Sequence, residues 1–202
     1  MPTNPVEYDL QCLERAWSAA KKARANAPGQ HIAYYSLTYK NWHFLGERPW
    51  YLRWEYIRNN VDFVGKTVLE LGCNMGLFSL FAMVHGAKKA LGIDKDQEII
   101  KVAEEIGKAL RIDASFDCLD LVSDPDWEEK LKGSDIVIAM SLIHWVPNKQ
   151  RILEFLGHHR EVIYEGHEKL SLEMSRLKSI GFYHIKVLCE TERGRHVLYA
   201  RQ

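Results

Sequence analysis

VLELGCNMGLFSL, residues 68–80, decides the fold. An apolar strand-like run ends at Gly72, a short turn follows, and a second apolar run with helical character begins after Gly76. Two glycines at a strand-to-helix turn let the backbone approach a ligand closely, because neither residue carries a Cβ atom. The stretch therefore predicts a ligand-binding turn after the first strand of a sheet.

From Lys66 onward, strand-like runs alternate with helical runs to the end of the chain. This alternation predicts an α/β fold: a Rossmann-like, doubly wound, mostly parallel sheet of seven strands with helices on both faces. Two strand-like runs with little between them close the chain, which predicts an antiparallel C-terminal edge strand. In such sheets, ligands bind beyond the carboxyl ends of the strands at the topological switch point.

The first part of the sequence predicts a different region. Helices are predicted over residues 8–25, closed by Pro28-Gly29, and over about 50–60, with an aromatic segment between them. We expect residues 1–63 to form a helical and aromatic cap, or lid, and residues 64–202 to form one compact core. The aromatic side chains are predicted either to stack on a base or sugar or to form the apolar underside of the cap.

The bulk composition excludes several classes of protein. The 202 residues include 27 basic and 27 acidic side chains, which is not the balance of a protein that coats nucleic acid nonspecifically. The four cysteines show no zinc-binding spacing, so we expect reduced thiols and no metal site. No apolar stretch approaches the ~20 residues of a membrane span, and the N-terminus lacks a signal-peptide core, so we expect a cytoplasmic protein.

The glycine turn does not fit a dinucleotide. The G-x-G-x-x-G fingerprint is absent, because Asn74 stands at its second glycine and Leu77 at its third. The spacing is instead E-x-G-x-x-x-G, from Glu70 through Gly72 to Gly76. A carboxylate there is a poor neighbour for pyrophosphate and a good one for a cation. The turn thus favours a positively charged ligand without phosphates.

Two further acids follow the next two predicted strands. Asp94, in GIDKD, can accept hydrogen bonds from both hydroxyls of a ribose. Asp120 ends the following short strand, where with Leu121 it could meet the edge of an adenine. Together with Glu70 they place an acid at each of three strand ends. The combination predicts a nucleoside site.

In their order along the chain, these motifs resemble the signature of class I S-adenosylmethionine-dependent methyltransferases. The motifs are VLELGCNMG, GIDKD, CLDL and DIVIAMSLIHWV. The resemblance covers about residues 64–202 and implies S-adenosylmethionine as the cofactor and S-adenosylhomocysteine as the product. The implied cofactor contacts are Gly72, Cys73, Asn74 and Gly76 around the methionine part, Asp94 and Lys95 at the ribose, Asp120 and Leu121 at the adenine, Ser141, and Glu70 shaping the loop. The alternative is a tight helix entry in an unrelated doubly wound protein.

The segment SLIHWV, residues 141–146, resembles a subset of these enzymes. The subset includes bacterial O-antigen chain-terminating phosphate methyltransferases, RNA methylphosphate-capping enzymes and wobble-uridine-modifying tRNA enzymes. In the chain terminators, an upstream tyrosine and arginine contact the cofactor carboxylate. Tyr35, or alternatively Tyr34, and Arg53 fit that pattern. The capping enzymes share LGCN, S-L-x-x-W-V and a G-F-x-x-x-x-V segment like residues 181–187.

Four residues are predicted on the acceptor side. His144 is the catalytic candidate: it could act as a general base toward a sugar hydroxyl, orient a phosphate that needs no base, or merely cap the strand end. Trp145 lies beside it, His167 follows the predicted fifth strand, and Arg48 lies in a Gly-Glu-Arg-Pro turn. These three are predicted to bind substrate.

Three functions are consistent with this pattern. The first is an O-methyltransferase of polysaccharide biosynthesis, acting on a phosphate or hydroxyl of a glycan or similar small anionic acceptor. The second is an RNA methyltransferase acting on a terminal phosphate or a tRNA base, against which the neutral net charge counts mildly. The third is a noncatalytic methyltransferase-like binding protein.

Overall fold

The computed structural model describes residues 5–24, 32–39 and 41–202 of the chain. The N-terminal part consists of helix α1 (Pro5–Arg24), short strands β1 (Ala33–Tyr35), β2 (Leu37–Tyr39), β3 (Trp42–Phe44) and β4 (Gly46–Arg48), and helix α2 (Trp50–Arg58). The predicted helix stop at Pro28-Gly29 lies outside the described residues.

The remainder alternates strands and helices, as predicted. Its elements are β5 (Thr67–Leu71), α3 (Leu77–Val84), β6 (Lys89–Asp94), α4 (Gln97–Leu110), β7 (Ser115–Cys118), α5 (Trp127–Leu131), β8 (Ile136–Met140), a 3₁₀ turn (Ile143–Trp145), α6 (Lys149–Gly157), β9 (Glu161–Glu165), α7 (Leu170–Ser179), β10 (His184–Glu190) and β11 (His196–Arg201).

The central sheet has seven strands in the order β10-β11-β9-β8-β5-β6-β7. The pairs from β9 to β7 are parallel, which confirms the predicted fold class. The chain runs outward from β5 through β6 to β7 and then returns to β8 on the other side of β5. The crevice at the carboxyl ends of β5 and β8 is therefore the topological switch point, where ligands bind in open α/β sheets.

The last two strands form the predicted antiparallel edge of the sheet. The last strand, β11, is antiparallel to both of its neighbours, but it lies inside the sheet, and β10 forms the edge. Burial explains the order: Val197, Leu198 and Ala200 of β11 are fully buried, whereas β10 exposes side chains such as His184 and Val187. The more apolar strand takes the interior place, because two covered faces suit it.

The N-terminal part packs directly on the core. Trp50 and Trp54 of α2 contact the Phe78 ring of α3, with ring centroids 5.9 and 6.2 Å away, respectively. α1 lies along α4, where Asp9 pairs with Arg111 at 3.4 Å. One buried apolar cluster runs from Cys12 to Tyr199 through both parts. The division at residue 63 remains a prediction, and the buried aromatics serve the packing of the cap.

A close backbone approach positions β4. Gly46 pairs in parallel with Ala33 of β1, and a Cβ atom at Gly46 would lie 2.1 Å from the Tyr35 carbonyl group. Only glycine allows this approach without a shift of the backbone. The pairing directs the Arg48 side chain into the interior, where it is 2% exposed. The cap thereby carries a charged group toward the sheet.

No helix among the described residues is both long and apolar enough to cross a membrane. The same residues contain no group of three or more histidine, cysteine, aspartate or glutamate side chains that could hold a metal ion. The four cysteines are free thiols, of which Cys12 and Cys73 are buried.

Candidate active site

The turn after β5 has the backbone conformation that its glycines predict. Gly72, Asn74 and Gly76 have positive φ angles of 68°, 49° and 72°. A Cβ atom at Gly76 would lie 2.4 Å from the Phe116 ring, so this glycine is required by packing as well as by its φ angle. Gly72 instead faces the crevice beyond the sheet.

Asp94, at the end of β6, fixes the turn from the side. Its carboxylate accepts a hydrogen bond from the Asn74 N–H group at 3.0 Å and one from the Asp96 N–H group at 3.1 Å. Burial raises the pKa of Asp94, while these backbone donors oppose the rise. The carboxylate is thus held in one orientation at the wall of the crevice.

Glu70 lies one layer below the turn. It is 2% exposed, and one carboxylate oxygen accepts hydrogen bonds from the Ser79 N–H group at 2.8 Å and the Ser79 hydroxyl at 2.6 Å. Burial raises its pKa to about 8, and the Ser79 donors oppose the rise. Glu70 therefore links β5 to the first turn of α3 and shapes the loop from behind.

A cavity of about 550 Å³ occupies the switch point. This volume is within the range of ~300–1,000 Å³ that is typical of small-molecule and cofactor sites. The predicted site residues that line it are Tyr35, Gly72, Asn74, Asp94, Lys95, Asp120, Leu121, Ser141, Trp145 and His167. The predicted residues outside its lining are Arg48, Arg53, Glu70, Cys73, Gly76 and His144.

One end of the cavity suits a nucleoside. Apolar side chains of Ile93, Leu119 and Leu121 form its walls, and Asp120 lies beside them. The Asp120 carboxylate accepts hydrogen bonds from the Val122 N–H group at 2.9 Å and the Ser123 hydroxyl at 3.1 Å. A flat base can pack between such apolar walls while a fixed carboxylate accepts from its polar edge.

The other end rests on a buried charge network centred on Glu165 at the end of β9. Glu165 is 1% exposed and pairs with Arg53 at 2.8 Å and Arg48 at 3.4 Å. Both arginines also pair with Glu192, at 3.2 and 2.9 Å, respectively. The Nη1 group of Arg53 is buried and has no hydrogen-bond partner among the described residues. The network joins the cap to the sheet.

Ser141 connects this network to the cavity. Its hydroxyl donates to Glu165 at 2.6 Å, and its backbone N–H group donates to the Glu165 carbonyl at 2.8 Å. The Ser141 φ angle is 56°, a left-handed conformation that is uncommon for serine. Strained residues of this kind cluster at functional sites, where the surrounding structure holds them in place.

The histidines form a stacked pair at the cavity mouth. The rings of His144 and His167 lie 4.6 Å apart at 25°. His167 lines the cavity, and its Nδ1 atom is buried without a hydrogen-bond partner among the described residues. Burial, followed by the charges of Arg195 and His144, lowers the pKa of His167 to about 4. Trp145, 75% exposed, completes the mouth.

Two arginines of the cavity lining were not predicted. Arg193 and Arg195 lie in the turn between β10 and β11. The sequence signal was available, because T-E-R-G-R separates two strand-like runs. Since β10 is oriented like the parallel strands, its carboxyl end and the following turn lie at the ligand-binding edge of the sheet.

Residues 68–164 match the family model of a methyltransferase domain. This segment is similar to a methyltransferase domain. The match begins at β5 and ends within β9, so it contains the glycine turn, Asp94, Asp120 and Ser141. S-adenosylmethionine is the cofactor of domains of this type, and the fixed carboxylates and apolar walls of the cavity fit its nucleoside part.

Similar proteins and structures extend this finding. A ubiquinone biosynthesis O-methyltransferase of Coxiella burnetii is 29% identical over 103 residues, which cover 51% of the chain and 42% of that protein. The structure of a Synechocystis magnesium protoporphyrin IX methyltransferase with bound S-adenosylmethionine has a TM-score of 0.58 at 18% identity, covering 75% of the chain and 76% of that structure. The N-terminal domain of EvdMO1 with bound S-adenosylhomocysteine has a TM-score of 0.63 at 16% identity, covering 95% and 96%, respectively.

The structures share the fold of the methyltransferase domain. The aligned segments of the chain make up 34% and 42% of the lengths of the first two curated relatives that it matches. The similarity thus identifies the domain and its cofactor, and it leaves the acceptor to be inferred from the cavity.

Proposed function

We propose that the protein is an S-adenosylmethionine-dependent O-methyltransferase whose acceptor is a phosphate or hydroxyl group of a glycan or similar anionic molecule. One observation carries the proposal: a single cavity joins the carboxylates at the strand ends to a mouth formed by a tryptophan, a histidine and arginines. The first end is suited to a nucleoside and the second to an anion, so that both reactants would meet in one space.

Asp94 would bind the ribose, because its carboxylate is already oriented by two backbone donors and has further lone pairs for hydroxyl groups. Asp120 and Leu121 would contact the adenine, and the backbone of Gly72 and Asn74 would lie along the methionine part. When bound, the cofactor supplies a methyl group activated by a sulfonium. The protein would contribute mainly by orienting the acceptor oxygen toward that methyl group.

Arg53 and Tyr35 remain the candidates for the cofactor carboxylate. The Arg53 Nη1 group is a buried donor without a partner among the described residues, and a buried donor of this kind is costly unless a ligand satisfies it. Tyr35 lines the cavity near the same network. Arg48 is predicted to act on the substrate side, and it would do so through Glu165 and Glu192, which it holds in place.

The acceptor would enter between Trp145 and His167. Positioning alone accounts for much of the rate in such a reaction, since holding two reactants in line is worth up to ~7–11 kcal/mol of barrier. His167 is neutral near pH 7 because its pKa is lowered to about 4, so it would orient an acceptor oxygen by a hydrogen bond. His144 would support it by stacking or act as the general base.

The exposed indole of Trp145 favours a second candidate, an RNA methyltransferase. A tryptophan that is 75% exposed at the mouth of a cavity offers a surface on which a nucleobase can stack. The same side chain can equally pack on the apolar face of a sugar ring. The two candidates therefore share a cavity and differ in the acceptor.

Two measurements test the proposal. S-adenosylhomocysteine should raise the melting temperature of the protein, and Asp94→Ala should reduce this shift at the same ligand concentration. Transfer of a labelled methyl group is then measured to a phosphorylated glycan and to a short RNA, each at the same phosphate concentration. Transfer to the glycan supports the first candidate, and transfer to RNA alone supports the second. Absence of any shift with S-adenosylhomocysteine would contradict both.

A further inference from the structure

The turn between β10 and β11, Thr191–Arg195, is a compact, hydrogen-bonded element at the cavity. The Thr191 N–H group donates to the Arg195 carbonyl at 2.7 Å, and the Gly194 N–H group donates to the Thr191 carbonyl at 2.9 Å. The Thr191 hydroxyl accepts from the Arg195 N–H group at 3.2 Å. These bonds place the side chains of Arg193 and Arg195 in the wall of the cavity.

Arg195 is only weakly neutralised. Its Nη1 group donates to the Ser141 hydroxyl at 3.2 Å and lies 3.8 Å from the Glu165 carboxylate. That carboxylate already receives Ser141, Arg53 and Arg48 at 2.6, 2.8 and 3.4 Å. The nearer donors occupy Glu165, and the contacts of Arg195 with Ser141 and Glu165 involve its Nη1 group, while the residue lines the cavity. The Arg195 side chain is 20% exposed, so it is partly desolvated and still accessible to a ligand.

The charges around Arg195 do not balance. Arg48, Arg53 and Arg195 face two carboxylates, Glu165 and Glu192. Burial and the nearby Arg48 and Arg193 lower the pKa of Arg195, with Glu165 acting against them. A partly buried group of cations in excess attracts an anion, because the low local dielectric strengthens the interaction.

Arg193 is paired differently. Its guanidinium contacts the Glu47 carboxylate of β4, and the two side chains are 42% and 29% exposed. An exposed ion pair contributes only ~0–1 kcal/mol, so Arg193 can exchange Glu47 for another anion at little cost. A second cation is therefore available on the same turn as Arg195.

We propose that the Thr191–Arg195 turn determines acceptor specificity by binding an oxyanionic group of the acceptor, with Arg195 as the principal contact and Arg193 as the second. The inference rests on the proposed function, because it concerns the acceptor end of the same cavity. Two guanidinium forks on one turn match the geometry of a phosphate or carboxylate better than a single ammonium group does. The turn lies beside Ser141, His167 and Trp145, so a bound anion would stand at the acceptor position.

Inorganic phosphate and acetate are the probes for the test. Each is titrated into the complex with S-adenosylhomocysteine at constant ionic strength, and the half-saturating concentration is read from the melting temperature. Arg195→Gln is expected to raise that concentration about ten-fold and Arg193→Gln about three-fold. Arg195→Lys is expected to fall between wild type and Arg195→Gln, since it keeps the charge and loses the fork.

Arg201→Gln is the matched control, because this substitution removes the same charge at the opposite end of β11. An equal loss of anion binding in the Arg201 and Arg195 variants would overturn the proposal by showing a general charge effect. Unchanged anion binding in Arg195→Gln would overturn it as well. The affinity for S-adenosylhomocysteine is measured separately: its retention in Arg195→Gln supports an acceptor role, and its loss would move Arg195 to the cofactor site. Failure of wild type to bind S-adenosylhomocysteine would contradict the proposed function, whatever the anions do.

Discussion

The two ends of the cavity are built in different ways. At the cofactor end, Asp94 and Asp120 stand at the ends of neighbouring strands and accept from backbone groups close to them in sequence or in the adjacent turn. At the acceptor end, Glu165 is held by Arg48 and Arg53, which precede it by 117 and 112 positions. The nucleoside contacts depend on the sheet alone, whereas the Glu165 network, with Arg53 as a candidate for the cofactor carboxylate, depends on the cap being docked.

The largest effect is expected from breaking the acceptor end at its centre. Glu165→Gln would leave Arg48 and Arg53 buried with one carboxylate between them, which typically costs ~3–5 kcal/mol of folding free energy. Urea unfolding followed by circular dichroism would measure this loss. Because the network links cap and sheet, we also expect the α2 region to become accessible to protease before the core does.

Glu161→Gln is the control for this experiment. Glu161 lies at the other end of β9 and pairs with Lys66 and Tyr199, but its side chain is 17% exposed. We expect a smaller loss than for Glu165→Gln, because the Glu161–Lys66 pair keeps more contact with solvent than Glu165 does. Equal losses of folding free energy in the two variants would show that the Glu165 network stabilises the fold no more than the Glu161 pair does.

The cofactor end can be tested through the titration of Glu70. Folding raises the pKa of this carboxyl from 4.5 to about 8, chiefly by burial, so the folded chain keeps a proton that the unfolded chain releases. The stability that this proton confers is fully present below about pH 4.5 and is lost as the pH rises toward 8. Between pH 5 and 8, we expect wild type to lose on the order of 2–4 kcal/mol relative to Glu70→Gln.

The measurement is urea unfolding of both proteins at several pH values in this window. Glu70→Gln keeps an oxygen that can accept from the Ser79 N–H group and hydroxyl, so the fold should survive. A constant difference between the two proteins across the window would show that Glu70 is already ionised at pH 5 in the folded state.

The next effect is expected on cofactor binding, from Asp94→Ala. Loss of hydrogen bonds to a charged group costs ~1.5–3 kcal/mol, so the affinity for S-adenosylhomocysteine should fall roughly 10- to 150-fold by calorimetry. Asp117→Ala is the control, since Asp117 lies on the adjacent strand with its side chain exposed. A loss confined to Asp94 would place the ribose there, and an equal loss in both variants would point to a general electrostatic effect.

The same difference explains what the sequence could predict. Asp94 and Asp120 could be found because a strand end is a local pattern, and the sheet brings successive strand ends together. The ion pairs of Arg53 could not be predicted, because nothing near residue 53 in the sequence indicates that Glu165 and Glu192 lie beside it. Its role toward the cofactor stays a prediction.

Histidine placement shows a second limit. The sequence predicts both His144 and His167 at the acceptor side of the cavity, since each follows a strand of the parallel sheet. Which of them lines the cavity depends on the 3₁₀ turn after β8, which leaves His144 exposed and stacks it over His167. A rotation within a three-residue turn is not encoded in any periodic pattern, so the sequence alone could not indicate which of the two histidines lines the cavity.

The smallest effect is expected from His144→Ala, and it distinguishes the two kinds of acceptor. If the acceptor is already an anion, removal of an exposed ring that only stacks on His167 should lower kcat less than about ten-fold, since such ring pairs contribute ~0.5–1.5 kcal/mol. If His144 is the general base toward a hydroxyl, kcat should fall by 10²–10⁴. The pKa of His167, followed by NMR, should rise in the variant, because the neighbouring His144 contributes to lowering it. A rise in that pKa with nearly unchanged kcat would make His144 a positioning residue. A large loss of kcat that His144→Asn does not restore would instead make it the base, and the acceptor a hydroxyl.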